Sequence, residues 1–274
     1  MQRARVFALL FVVGMLVFFV AGYWAGIPHG ARTAAKITLP CLLLLATVAS
    51  GRRESLSRWR PVSLAFFAAS VAFLVAWWVS NPLMGLFGLT TDSVPGIAFM
   101  KLFDALPIVV TIIVVARLGG MKPADLYLQK GRVKGWLVVG IAAFAAFSVL
   151  CLLQAREQGV SADRLLAYAP WILLFVFCNA FMEELHFRGL LLKPFEQLLG
   201  RHAANLCIAL FFTISHAPVQ YAPDIVVFLA LLLVLALAWG YLIQRTESLW
   251  GAVLFHAGAD LMIILGIFGT YGVR

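Results

Sequence analysis

Apolar residues run along this chain in blocks of about twenty, separated by short polar or basic connectors. A helix needs about 20 residues to cross a hydrocarbon layer of about 30 Å. Nine stretches meet that test, approximately 6–26, 34–50, 62–80, 96–116, 135–154, 167–191, 203–219, 223–243 and 248–269. The second and seventh are short, so the pattern predicts an all-α, polytopic transmembrane helical bundle of eight or nine spans. No internal repeat, low-complexity segment or soluble domain interrupts it. We divide the chain at about residue 160, with spans that carry no diagnostic motif in 1–160 and a polar-studded core in 161–270.

Composition agrees, since 63% of the 274 residues are hydrophobic and only 12% charged. Those proportions lie far outside the range of soluble domains. The formal net charge of +9 is spread through short connectors and forms no stripe that tracks a phosphate backbone. It therefore points to topology and excludes a nucleic-acid site. With the N-terminus inside, 14 Lys and Arg side chains fall in inward segments and 5, Arg274 among them, in outward ones. That balance predicts an integral membrane protein, N-in and C-out, in contact with lipid. The front of the chain, Met1 to Arg5 and then an apolar run, reads as an uncleaved anchor because the apolar character continues through Trp24. Cys41, Cys151, Cys178 and Cys207 lie inside apolar runs without paired spacing, which fits packing and neither a disulfide framework nor a CxxC metal site.

Against this background the polar residues inside spans stand out. A charged side chain at mid-bilayer depth costs about 2.5–3.5 kcal/mol on insertion scales and normally faces a bundle interior with a task to perform. The sixth block runs into Asn179-Ala180-Phe181-Met182-Glu183-Glu184-Leu185-His186-Phe187-Arg188-Gly189. Glu184 and Arg188, four apart, share a helix face suited to an ion pair. Glu183 points about 100° away and is left available, with Asn179 one turn earlier as its expected hydrogen-bond partner. The seventh block carries Phe212-Thr213-Ile214-Ser215-His216, and the ninth carries His256-Ala257-Gly258-Ala259-Asp260, whose His and Asp lie on one face. At 1.5 Å rise per residue, Glu183 and His256 lie about 12 Å, Asp260 about 18 Å and His216 about 20 Å from the inward ends of their spans. With ordinary tilts the four can share one layer, slightly inward of the midplane. Lys101 and Asp104, three apart and followed by Pro107, read as a self-neutralised pair beside a kink.

Glu183-Glu184-x-x-x-Arg188, Phe212-x-x-x-His216 and His256-x-x-x-Asp260, each on its own apolar span and in this order, resemble the signature of the CAAX protease and bacteriocin-processing family. That membrane family, also called the abortive-infection family, includes the Ras-converting CAAX endopeptidase. The likeness covers about residues 165–265, and Phe187-Arg188-Gly189 extends its first motif. It implies an intramembrane glutamate-type endopeptidase acting near the cytoplasmic side of a bacterial inner membrane. Glu183 and His216 would activate a water, His256 and Asp260 would support the oxyanion, and Glu184 and Arg188 would order the site. The family often has Asn where this chain has Asp260; an ionised carboxylate only accepts, so Asp260 is expected to orient His256 or to be protonated. The implied partner is a peptide or protein substrate at the membrane.

Three other readings compete. A catalytically dispensable partner protein, regulating a sensor kinase or conferring bacteriocin immunity, would need no turnover. No cofactor is expected, but a zinc-dependent variant would use the same carboxylates and histidines, and Glu183-x-x-His186 echoes half of a di-iron motif that has no second copy here. A transporter is disfavoured by the lack of inverted repeats and of paired broken helices.

Overall fold

The computed structural model describes residues 2–23 and 26–270. Met1, Trp24 and Arg274, which entered the reading of anchor and charge balance, lie outside the described residues. The described chain is helical and contains no strand, as lipid requires: each backbone N–H and C=O is satisfied within its own segment. In order come α1 (Gln2–Gly14), continued by a π-helical stretch Met15–Tyr23, α2 (His29–Arg52), α3 (Arg60–Leu86) and α4 (Val94–Leu118). Then follow α5 (Val133–Glu157), α6 (Ala162–Glu184), a π-helical turn Leu185–Gly189, α7 (Leu190–Leu199) and α8 (Arg201–Ser215). The chain ends in α9 (Ile225–Thr246), α10 (Trp250–Asp260) and α11 (Ile264–Thr270).

Among the described residues seven helices are long and apolar enough to cross a membrane, or eight if α10 and α11, bent by 57° at residues 261–263, form one broken span. The expected seventh span is the exception. Its helix, α8, has 15 residues and rises about 22 Å, too little to cross alone. It runs antiparallel to α9: Arg201 Nη2 donates to the Gln244 carbonyl at 2.7 Å and Asn205 Nδ2 to the Leu237 carbonyl at 2.9 Å. Residues 216–224 must therefore cover the remaining height as irregular backbone. Such backbone is tolerated at membrane depth where it lines a polar cavity, and Pro218, Val219 and Tyr221 do line one.

The centre of the bundle is the continuous rod of α6, the π turn and α7, packed by α3, α4, α8 and α10. On α3 the buried residues include Ala65, Ala68, Ala69, Ala72 and Ala76, all 8% exposed or less, beside larger side chains such as Phe66 and Phe73. A stripe of methyl groups at helical spacing lets backbones approach closely, which is how helices associate where no hydrophobic drive separates them from lipid. Contact between α10 and α5 uses glycine in the same way. A Cβ on Gly258 would lie 2.8 Å from the Phe144 Cα, and one on Gly251 2.5 Å from the Trp136 Cβ.

The pair expected at Lys101 and Asp104 does not form: no ion pair joins them among the described residues. Lys101 turns toward α6, with its Nζ 5.3 Å from the centre of the Phe175 ring. A lysine stem covers apolar surface readily, and α4 packs against α6 along this line.

Candidate active site

The site forms where the end of α6, the end of α8 and the middle of α10 meet. Glu184 closes α6 and Leu185–Gly189 continues it as one π-helical turn, a local widening that recurs at functional positions. Arg188, on this turn, donates to Glu184 Oε1 at 2.9 Å, with both side chains 0% exposed. The expected ion pair is therefore present and wholly buried. The guanidinium is also boxed by rings, Phe212 at 4.3 Å and Trp239 at 5.4 Å, and Nη2 donates to the Ala236 carbonyl at 3.3 Å. Charge neutralisation makes such burial tolerable, with Arg188 Nε and Glu184 Oε2 left without hydrogen-bond partners.

Glu184 has a second partner. His256 Nδ1 lies 2.8 Å from the same Oε1, and because a carboxylate accepts, this nitrogen carries a proton and donates. The ring is fixed from the other side by Trp239, stacked on it at 3.9 Å with 8° between the planes. His256 is thus held by Glu184 and Trp239. Asp260 Oδ1 stands 3.5 Å from Nε2, so the ring faces the Glu184 carboxylate at one nitrogen and the Asp260 carboxylate at the other.

His216 follows the last residue of α8, where helix carbonyls lack intrahelical donors. Its Nδ1 lies 2.9 Å from the Phe212 carbonyl, which only accepts, so Nδ1 carries the proton. In the neutral ring Nε2 is then an acceptor, and it sits 3.8 Å from Glu183 Oε2. His256 Nε2 is 3.6 Å from the same oxygen. Glu183 Oε2 is buried without a hydrogen-bond partner, in contrast to Glu184 Oε1 with its two donors. One acid is tethered and the next is poised.

Asn179 departs from expectation: its Nδ2 donates to Asp260 Oδ2 at 3.0 Å. Asn179 and Glu183 do share a stripe of α6, but the crossing of α10 brings the Asp260 carboxylate within reach first. His186 faces away from the site. Its Nε2 meets the Ala69 carbonyl at 3.1 Å on α3 and its ring packs against Phe18 and Phe73, so it contributes to packing and not to a Glu-x-x-His ligand pair. Among the described residues no three His, Cys, Asp or Glu side chains are arranged to hold a metal ion.

Of the six residues singled out from the sequence, Glu183, His216, His256 and Asp260 line a cavity of about 540 Å³, while Glu184 and Arg188 lie behind it, joined to the site through His256. Apolar side chains of α9, including Phe228, Leu231 and Leu235, form much of its wall. Residues 165–262 match the family model described as type II CAAX prenyl endopeptidase, Rce1-like. This stretch of the chain is similar to an Rce1-like domain. No curated protein and no solved structure matches the chain. The matched segment runs from α6 to the break after α10 and holds all six residues. The site also includes a residue that the sequence reading passed over, Trp239, stacked on His256. Its signal was its position in the interior of an apolar span, away from the span ends where tryptophan usually anchors.

Proposed function

We propose that the protein is an intramembrane endopeptidase of glutamate type that hydrolyses a peptide bond of a membrane-associated substrate. The observation that carries this reading is the unpartnered Glu183 Oε2, 3.8 Å from His216 Nε2 and 3.6 Å from His256 Nε2. Both gaps are too long for a direct hydrogen bond and short enough for one water to touch either pair of atoms. In the proposed reaction Glu183, assisted by the acceptor nitrogen of His216, takes a proton as the water oxygen bonds to the scissile carbonyl carbon. When doubly protonated, His256 keeps its Nδ1–H on Glu184 and presents Nε2–H to the developing oxyanion. A donor so placed supplies about 2.7–4 kcal/mol of transition-state stabilisation. Collapse of the tetrahedral intermediate breaks the C–N bond, and the proton taken up first passes to the leaving amine. Asp260, held by Asn179, accepts only when ionised and serves in this scheme to position rather than to donate.

The match of residues 165–262 to an Rce1-like family supports CAAX-type protease chemistry in general. We place the site toward the cytoplasmic side of a bacterial inner membrane, with N-in and C-out, because the basic connectors follow that arrangement. The test is a comparison of membrane-peptide termini in cells carrying wild type or Glu183→Gln. Peptides cut in the first and intact in the second are expected; identical termini together with a full cellular phenotype in Glu183→Gln would replace this reading with that of a dispensable partner protein.

A further inference from the structure

A second concavity lies away from the catalytic cavity, where the start of α1, the connector 53–59 between α2 and α3, and the end of α7 meet. It measures about 250 Å³, and its walls include Arg3 and Val6 of α1, Arg58 and Trp59 of the connector, and Gln197 and Leu198 of α7. The charged groups in its lining are both guanidiniums, and among the described residues no carboxylate stands within 4 Å of either. Two acids sit on the same elements without neutralising it. Glu54 is exposed at the start of the connector, and Glu196 accepts from Gln244 Nε2 of α9 at 2.6 Å. The same elements and the adjoining helix ends also carry Arg5, Arg52, Arg53, Arg60, Lys193 and, at the start of α8, Arg201 and His202, none of which lines the pocket.

Topology alone asks only that basic residues lie in inward connectors. It does not ask that two guanidiniums 55 positions apart in the chain converge on one concavity whose other walls are apolar or amide. A guanidinium offers a planar fork that matches phosphate oxygens in pairs, and the Gln197 amide adds a neutral donor. Trp59, packed against the core and 5.5 Å from the Arg58 guanidinium, is the residue type that anchors at headgroup depth. Val6 and Leu198 provide apolar contact for the start of acyl chains. We propose that this pocket binds the phosphate of an anionic phospholipid headgroup, gripped between Arg3 and Arg58. Basic pockets between membrane helices recur as sites for such headgroups, and the N-in arrangement puts this one in the inner leaflet. The proposal does not depend on the endopeptidase reading, but it bears on the same rod: Gln197 lies 14 residues beyond Glu183, about 21 Å along the helix. A bound lipid ties α1 and the connector to the end of the rod that carries the two acids.

The test titrates the full-length protein in dodecyl maltoside micelles with dihexanoyl phosphatidylglycerol, dihexanoyl phosphatidylcholine or inorganic phosphate. Lipid binding is read by native mass spectrometry, and all three ligands by the thermal unfolding midpoint. One phosphatidylglycerol molecule is expected to bind roughly tenfold to a hundredfold tighter than phosphatidylcholine, the range for hydrogen bonds to a charged group, and to raise the midpoint as the site fills. Arg3→Gln and Arg58→Gln should each abolish that preference. Arg5→Gln and Arg53→Gln remove the same charge outside the lining and should each weaken binding by about fivefold or less, the worth of one basic side chain near an anionic surface. Equal losses in all four variants would mean diffuse attraction and overturn the site, as would a preference that survives Arg3→Gln and Arg58→Gln. The lipid-free midpoint of Arg58→Gln should match wild type. If it falls, Arg58→Lys decides, because it keeps the charge and loses the fork: weakened binding supports the grip, and wild-type binding overturns it. Inorganic phosphate that raises the midpoint as far as phosphatidylglycerol, with the same need for Arg58, would overturn the lipid assignment in favour of a soluble phosphate.

Discussion

Removing the acid that ties the site together should separate stability from catalysis. Glu184 and Arg188 are both 0% exposed and 2.9 Å apart, so Glu184→Met leaves a guanidinium buried with only the Ala236 carbonyl at 3.3 Å and two ring faces. Breaking a buried pair by removing one partner costs about 3–5 kcal/mol, and the remaining cation–π contacts offset about 0.5–2 kcal/mol of it. The expected net loss is about 1–4.5 kcal/mol. Glu184→Met/Arg188→Met removes both charges while keeping two long apolar side chains, and replacing a buried pair by apolar groups is often close to neutral. The double variant should therefore recover to within about 1 kcal/mol of wild type, so that with the loss in Arg188→Met included the coupling is at least about 2 kcal/mol. Hydrogen-bond couplings inside membranes average about 0.6 kcal/mol, so a value of 2 would mark full charges in a dry interior. Reversible unfolding in mixed dodecyl maltoside and SDS micelles measures all four corners of the cycle. Activity should not recover with stability: His256 Nδ1 has lost its acceptor, and a misaligned oxyanion donor costs about 10²–10³ in kcat. A coupling below 1 kcal/mol, or a double variant with wild-type turnover, would refute the account of Glu184 as both ion-pair partner and anchor of His256.

Further outcomes follow from the same geometry. Glu183→Gln and His216→Gln should each lower kcat by about 10²–10⁴, the range for a general base, while leaving the unfolding transition within about 1 kcal/mol of wild type; a loss of folded protein in step with activity would argue for a packing role instead. Gly258→Val should destabilise by about 1–3 kcal/mol through overpacking, since its Cβ would meet the Phe144 backbone at 2.8 Å, and it should slow turnover by shifting α10. Unchanged unfolding would show that α10 and α5 do not meet as described. Prolonged treatment of purified protein with EDTA or 1,10-phenanthroline should leave hydrolysis unaffected, and restoration of lost activity by zinc would establish the metal-dependent variant.

The fold was legible wherever a span stands by itself. Blocks of Leu, Val, Ala and Phe near twenty residues long have one solution in lipid, and the structure has helices at each of them. α8 escaped because block length does not reveal where hydrogen bonding to an earlier carbonyl stops; His216 ends the helix by taking the Phe212 carbonyl for itself. The ion pair of Glu184 and Arg188 was readable for a related reason, since both partners sit on one helix and their spacing alone brings them together.

What the order of residues determined by itself is local: the helical class, the acid that pairs along its own helix, and the acid left over. Which side chains meet across helices was decided only by the tertiary structure. The assignment of Glu184 to His256, of Asn179 to Asp260, of Trp239 to the face of the imidazole, and of Lys101 to the face of Phe175 depends on crossing angles set by alanine and glycine contacts on other helices. Those contacts act through the summed packing of elements distant along the chain, and no periodicity within one span encodes them.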